Sequence, residues 1–271
     1  MRRPGRPAGG TIRSEADQRP HISREAILEK ATELAMTQPL AELSIVGLAR
    51  EFGVTTTLIH YYVGSRDELV SGVVNRYFQA RMEQIPPPSK SWRRDIEAHA
   101  RAVFDVMRKY GGVLQYVMSH NRSRMFQQVE AGQVDYGMEY LNRVAGIFRS
   151  GGFAADQAAM AYHLLAQYIM TAAYADVRRQ LPAEHGGYIR DRIAAASATQ
   201  YPDAHFIARP FSEVDSRSAF ELGLHILLDG LAAMRAGKLR LPGSAQMDAP
   251  GDAARKPVPV RPAKGSLQPR S

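Results

Sequence analysis

The sequence predicts an all-α fold, and three observations carry that expectation. Apolar residues recur at three- and four-residue spacing along most of the chain, the period of a helix with one buried face. No convincing strand interrupts them, since no stretch alternates apolar and polar residues over a strand's length. Capping residues and glycine or proline stops bracket the periodic runs. The 271 residues divide into four parts: a disordered basic arm (1–20), a three-helix N-terminal domain (21–85), a larger helical domain (86–240), and a disordered, proline-rich basic tail (241–271).

The first helix is expected from Ser23 to about Thr37. Ile27, Leu28, Ala31, Leu34 and Ala35 share a face, Ser23 is the N-cap, and Glu25 lies at the positive end of the dipole. The second spans Ser44 to Phe52 and ends at Gly53, a residue that tolerates the left-handed conformation of a helix terminus. A third, short helix follows from about Thr55 to Tyr61. Ser65-Arg66-Asp67-Glu68 is a capping box that opens a long helix to about Ile85, stopped by Pro86-Pro87-Pro88. Further helices are expected at Ser91–Tyr110, Gly112–Met118, Ser123–Ser150, Ala155–Gln180, Tyr188–Gln200 and Asp215–Ala236. No internal repeat is visible.

Composition narrows the class of protein. With no cysteine there is neither a disulfide framework nor a thiolate metal site. Apolar residues make up 45% and charged residues 23%, as in soluble globular proteins. The start of the chain lacks the apolar core of a secretory signal. Gln157 to Ala175 carries no formal charge, but Gln157, His163, Gln167 and Thr171 mark it as a core helix rather than a membrane span. A cytoplasmic location is expected. The net charge of +8 is concentrated at the ends. Residues 1–24 hold six arginines against Glu15 and Asp17, whereas residues 25–85 hold five basic against eight acidic side chains. Basic arms around a near-neutral body suit a polyanionic partner.

Enzyme signatures are missing. There is no G-x-G-x-x-G, P-loop, G-x-S-x-G or H-E-x-x-H, and the eight histidines lack the close pairing of a helical metal site. The chain is therefore read as a non-enzyme without catalytic residues, metal or cofactor. The informative stretch is Ser44–Leu69. A helix, a glycine turn and a short polar helix follow one another, with Ala49 small where two helices must cross and Val54 and Ile59 filling the angle between them. That is a helix-turn-helix, whose second helix enters the DNA major groove. Thr55, Thr56, Thr57, His60 and Tyr62 suit phosphate oxygens, base edges and the thymine methyl group.

These residues resemble the tetracycline-repressor (TetR) family of transcriptional regulators. The matching pattern is Ser44…Leu48-Ala49…Phe52-Gly53-Val54, then Leu58-Ile59-His60-Tyr61-Tyr62-Val63, then Ser65-Arg66-Asp67-Glu68-Leu69. Ser91-Trp92, Phe148-Arg149-Ser150-Gly151-Gly152-Phe153 and Phe220-Glu221-Leu222-Gly223-Leu224…Leu228-Asp229-Gly230-Leu231 resemble effector-domain landmarks of the tetracycline repressor's own branch. The resemblance implies DNA contacts at Ile45, Val46, Thr55, Thr56, Thr57, His60, Tyr62 and Arg66. Arg13 and Arg19 of the basic arm are expected to add phosphate contacts.

For the larger domain the resemblance implies an effector pocket and a dimer interface. The branch's magnesium-chelating histidine aligns near Val117, with His120 the nearest candidate, and its drug-gripping asparagine aligns near His99. A metal–drug complex therefore lacks its anchor here, and an apolar or aromatic effector that needs no metal is expected. Trp92, His99, Val103, Met107, Val117, His120, Tyr140 and Tyr168 are the candidate pocket residues. In the last helix Phe220, Leu224, Leu227, Leu231 and Met234 form an apolar stripe. Gly223 and Gly230 would let a neighbouring backbone approach, and together these seven are the candidate homodimer interface. The expected activity is repression from a palindromic operator on double-stranded DNA, relieved by a small molecule, with no membrane involved. Two other classes fit the same residues: a helical enzyme or ligand carrier that no longer binds an operator, and a non-specific DNA-coating protein.

Overall fold

The computed structural model describes residues 22–119, 127–130 and 132–239, and these form helices and connecting turns without a strand. The basic arm and tail, with Arg13 and Arg19, lie outside the described residues, as does His120. Eleven α-helices are described: α1 (Arg24–Thr37), α2 (Ile45–Phe52), α3 (Thr56–Val63), α4 (Arg66–Gln84), α5 (Trp92–Lys109), α6 (Gly111–Ser119), α7 (Tyr136–Ser150), α8 (Ala155–Val177), α9 (Gly186–Ala194), α10 (Pro202–Ser212) and α11 (Ser216–Arg235). Among the described residues no helix is long and apolar enough to cross a membrane.

The N-terminal helices begin where their capping side chains dictate. Ser23, Ser44, Thr55 and Ser65 each accept a hydrogen bond from the backbone N–H three residues on. Glu68 completes the capping box by accepting from the Ser65 N–H. Gly53 adopts φ +64°, which terminates α2 and lets the Val54 N–H reach the Ala49 carbonyl. Ile27, Leu28, Leu48, Ile59, Val63 and Leu69 close the core of this head.

The body is organised around α8, which packs against α5, α6, α7 and α11. Helix α4 belongs to both halves: it packs on α1 and α3 and also on α5 and α7. Three polar ties lace it to α7. The Asn75 amide donates to the Val134 carbonyl and accepts from the Tyr136 N–H, each at 3.0 Å. The Arg81 guanidinium donates to the Tyr140 hydroxyl. Arg143 donates to the Ile85 and Pro86 carbonyls beyond the end of α4. On the opposite side of the body, Arg101 grips both oxygens of Glu221 and joins α5 to α11.

Three expected helices differ. Within the run expected from Ser123, the described residues 127–130 and 132–135 are not helical and α7 starts at Tyr136, where Gly132 turns at φ +87° and Asp135 provides the N-cap for Met138. Helix α8 ends at Val177 rather than Gln180, with Arg179 at φ +52° closing the terminus. The single helix expected at Tyr188–Gln200 is α9, which ends at Ala194. A second helix, α10, starts at Pro202, a residue preorganised for the first helical turn. Helices α9 and α10 pack on each other and on the turn at Pro182–His185, and leave Phe206 83% exposed.

Candidate nucleic-acid interface and effector cavity

Helix α3 is held by its inward residues Ile59 and Val63, so its opposite face points to solvent. That exposed face carries Thr56, Thr57, His60 and Tyr61, with Thr55 exposed at its N-terminus. His60 Nδ1 lies 2.8 Å from the Gly64 carbonyl. Because a carbonyl only accepts, Nδ1 carries a proton there, and Nε2 points the other way on the ring. Tyr61 is 80% exposed, whereas Tyr62 is half-buried against the core and meets the Tyr61 ring edge-on at 5.3 Å. Spacing could have separated the two tyrosines. Tyr61 follows Thr57 by four residues on the outer face, while Tyr62 flanks the inward Val63.

Two further head assignments, those of Ile45 and Arg66, are altered by the structure. Ile45 is 8% exposed and belongs to the core, so its side chain is not available to DNA. Its neighbour Val46 is 60% exposed and remains on the surface beside α3. Arg66, expected to contact DNA, donates from Nε to the Leu43 carbonyl (3.1 Å) and from its terminal nitrogen to the Ala41 carbonyl (2.7 Å). Its first role is to tie the start of α4 to the turn before α2.

The body holds a cavity of about 840 Å³ between the end of α4, the proline linker, α5, α7 and α8. That is the size of a small-molecule site. Its apolar wall includes Ile85, Ile147, Phe153 and Ala158, and its polar lining includes Asn142, Arg143, Arg149, Asp95 and Tyr162.

None of the expected pocket residues that are described lines this space. Val103 and Met107 are buried core. Trp92 packs edge-on against Phe153 at 4.9 Å and pins α5 to the turn between α7 and α8. Val117 and Tyr168 line a second, shallower hollow of about 660 Å³. The Tyr168 hydroxyl also donates to the Phe220 carbonyl at 2.7 Å, joining α8 to α11. His99 and Tyr140 lie in a buried cluster with Arg81, where the Tyr140 hydroxyl is 3.0 Å from His99 Nε2. Burial, helped by the charges of Arg81 and Arg143, pushes His99 down to about 3, so the ring is neutral. The sequence reading missed Arg81, although its spacing from Tyr77, Phe78 and Ile85 puts it on the inward face of α4. Among the described residues, no group of three or more His, Cys, Asp or Glu could hold a metal ion.

The apolar stripe of α11 also has a different place. Phe220, Leu224, Leu231 and Met234 are buried within the chain, Phe220 stacking on Phe104 at 4.1 Å. Leu227 is half-buried against the same core. Gly223 is where the Tyr168 ring passes, with Tyr168 Cε2 2.9 Å from where a Cβ would stand. Gly230 is half-buried, with open space beside it. The exposed apolar residues of α11 are Leu222 and Ile226, each 64% exposed.

Residues 85–235 match the family described as tetracyclin repressor-like, C-terminal domain. The chain belongs to the TetR family of transcriptional regulators. A curated relative, the HTH-type transcriptional repressor DrrR1 of Streptomyces coeruleorubidus, is 24% identical over 162 residues, covering 60% of this chain and 56% of that protein. The chain thus aligns with little more than half of that relative's length. Apo ActR of Streptomyces coelicolor superposes with a TM-score of 0.65 at 22% identity, over 80% of this chain and 98% of ActR. ActR in complex with actinorhodin gives 0.64 at 23% identity, over 78% and 97%. At these identities the two structures show the shared fold.

Proposed function

We propose that this TetR-family chain is a repressor that binds a two-fold symmetric operator as a homodimer and leaves it when a small molecule fills the 840 Å³ cavity. The observation that carries the reading is the placement of α4. Its N-terminal part packs in the DNA-reading head, and its C-terminal part is laced to α7, one wall of the cavity. An occupant that shifts α7 therefore moves α4 and changes the spacing of two α3 helices in a dimer. A 100-fold loss of operator affinity requires a coupling of about 2.7 kcal/mol between the two sites.

In this reading Thr55, Thr56, Thr57, His60 and Tyr61 of α3 face the major groove, with Val46 beside them. Arg13 and Arg19 supply phosphate contacts that offset the acidic head. The dimer face is the exposed apolar surface shared by α8 and α11, where Met160, Leu164, Leu222 and Ile226 await a covering partner. Two-fold symmetry then places two recognition helices on one side of the duplex.

Selection of binding sites from random duplex DNA with the full chain tests the proposal. The expected result is one enriched inverted repeat, bound by two copies. Retention of all sequences alike would identify a DNA-coating protein, and no retention would remove DNA binding altogether.

A further inference from the structure

Arg81 is 5% exposed, and its charge meets aromatic faces rather than an acid. The guanidinium lies 3.9 Å from the Tyr140 ring centroid, 5.0 Å from that of Phe78 and 5.4 Å from that of Tyr77. Among the described residues no carboxylate forms an ion pair with it, and its Nε–H has no acceptor. The Tyr140 hydroxyl accepts from Arg81 and so gives its one proton to His99 Nε2. His99 therefore carries its own proton on Nδ1, which also lacks a partner and is buried. Two orphan donors thus stand beside one uncompensated positive charge. Aromatic faces attract a cation but do not neutralise it, and a lone buried charge costs several kcal/mol.

The cluster lies close behind the cavity. Tyr162 lines the cavity, and its ring centroid is 6.5 Å from that of Tyr140. Ile85, one helical turn beyond Arg81, lines it as well. Two further cations, Arg143 and Arg149, belong to the lining, against Asp95, the single carboxylate among the described lining residues, which accepts from the Ser89 N–H at 2.8 Å. The rest of the wall is mainly apolar. A cavity of this kind suits an apolar, flat molecule that carries one negative charge.

We infer that the effector is an organic acid, a carboxylate, sulfonate or ionised phenol on an aromatic body, with its anionic oxygen directed toward Arg81 and Arg143. The inference rests on the proposal that this cavity is the effector site.

Two dyes that differ by one charge test it on the full-length protein. 8-Anilinonaphthalene-1-sulfonate is anionic, and N-phenyl-1-naphthylamine is the same skeleton without the sulfonate. The expected result is one anionic dye per subunit, bound about tenfold or more tighter than the neutral dye, the scale of a charge-assisted contact. Arg81→Met should remove most of that preference without weakening the neutral dye, and Arg81→Lys should restore part of it. Equal affinities in the wild type would overturn the acid inference while leaving an effector cavity in place. A preference that survives Arg81→Met with a wild-type melting temperature would also overturn it. If neither dye binds the wild type, the acid inference and the cavity's role as effector site both fall. The wild-type comparison decides the matter even if Arg81→Met does not fold.

Discussion

Gly112→Ala probes the seat where the body meets the head. Gly111 and Gly112 open α6 against the end of α1, and nothing larger fits at the second position. A Cβ at Gly112 would stand 2.6 Å from the Ala35 carbonyl oxygen and nearer still to the Gln38 carbonyl oxygen. Both obstacles are backbone, so no side chain can rotate away, and α6 must move by about an ångström relative to α1. Overpacking of this kind costs about 1–3 kcal/mol, and a rigid obstacle belongs at the upper end. The better helix propensity of alanine returns at most about 1 kcal/mol. A net loss of about 2–3 kcal/mol should lower the melting temperature by about 5–10 °C for a chain of this size. Gly146→Ala is the matched control. No atom lies within 4 Å of its would-be Cβ, and it sits inside α7, so it should gain about 0.5–1 kcal/mol. Both variants are compared by calorimetry and chemical denaturation. If Gly112→Ala is as stable as wild type, the close seating of α6 on α1 is wrong.

Four other substitutions separate reading from support. Tyr61→Ala should weaken operator binding by about 1–3 kcal/mol in an anisotropy titration with no change in melting temperature, while Tyr62→Ala should lower the melting temperature through lost packing. Arg66→Gln should destabilise the head by about 1 kcal/mol or somewhat more, since two hydrogen bonds from a charged donor are lost at a largely exposed site, and denaturant midpoints will show it. His99 is neutral when folded, with its pKa lowered from 6.5 to about 3, so the unfolded chain binds the extra proton. Stability from this group is therefore present above about pH 6.5 and is lost toward pH 3. The slope is about 1.4 kcal/mol per pH unit, and it should be missing from the stability–pH profile of His99→Gln.

The parts of this fold written in local chemistry were the legible ones. Ser23, Ser44, Thr55 and Ser65 mark helix starts through a hydrogen bond three residues away, and a sequence displays that spacing directly. The helix-turn-helix was legible for the same reason, because Gly53 and the small Ala49 satisfy constraints within one short segment. Where competing signals are subtle, periodicity overruns: the apolar pattern continues past Gly132 and Asp135, and the helix that starts at Pro202 lies beyond the single helix the pattern suggests. The α11 stripe illustrates a deeper limit. A helix packed inside its own subunit and a helix packed on a partner show the same periodicity, and only the placement of α8 and α5 puts Phe220 and Leu224 in the chain's own core. The cavity was illegible because its lining combines a face of α7, the first turns of α8, the proline linker and Asp95 of α5, and no sequence spacing displays that juxtaposition. Residues chosen by aromatic or methionine character, such as Val103's neighbour Met107, proved to be core.

Selective DNA recognition by α3 is the property on which the proposed role depends. The direct measurement is the affinity of the full-length protein for its selected inverted repeat and for a scrambled duplex of equal length, at one stated salt concentration. Selective recognition predicts a ratio of about 10³ or more in favour of the repeat, reduced by Tyr61→Ala. A ratio near one, unchanged by that substitution, would contradict it.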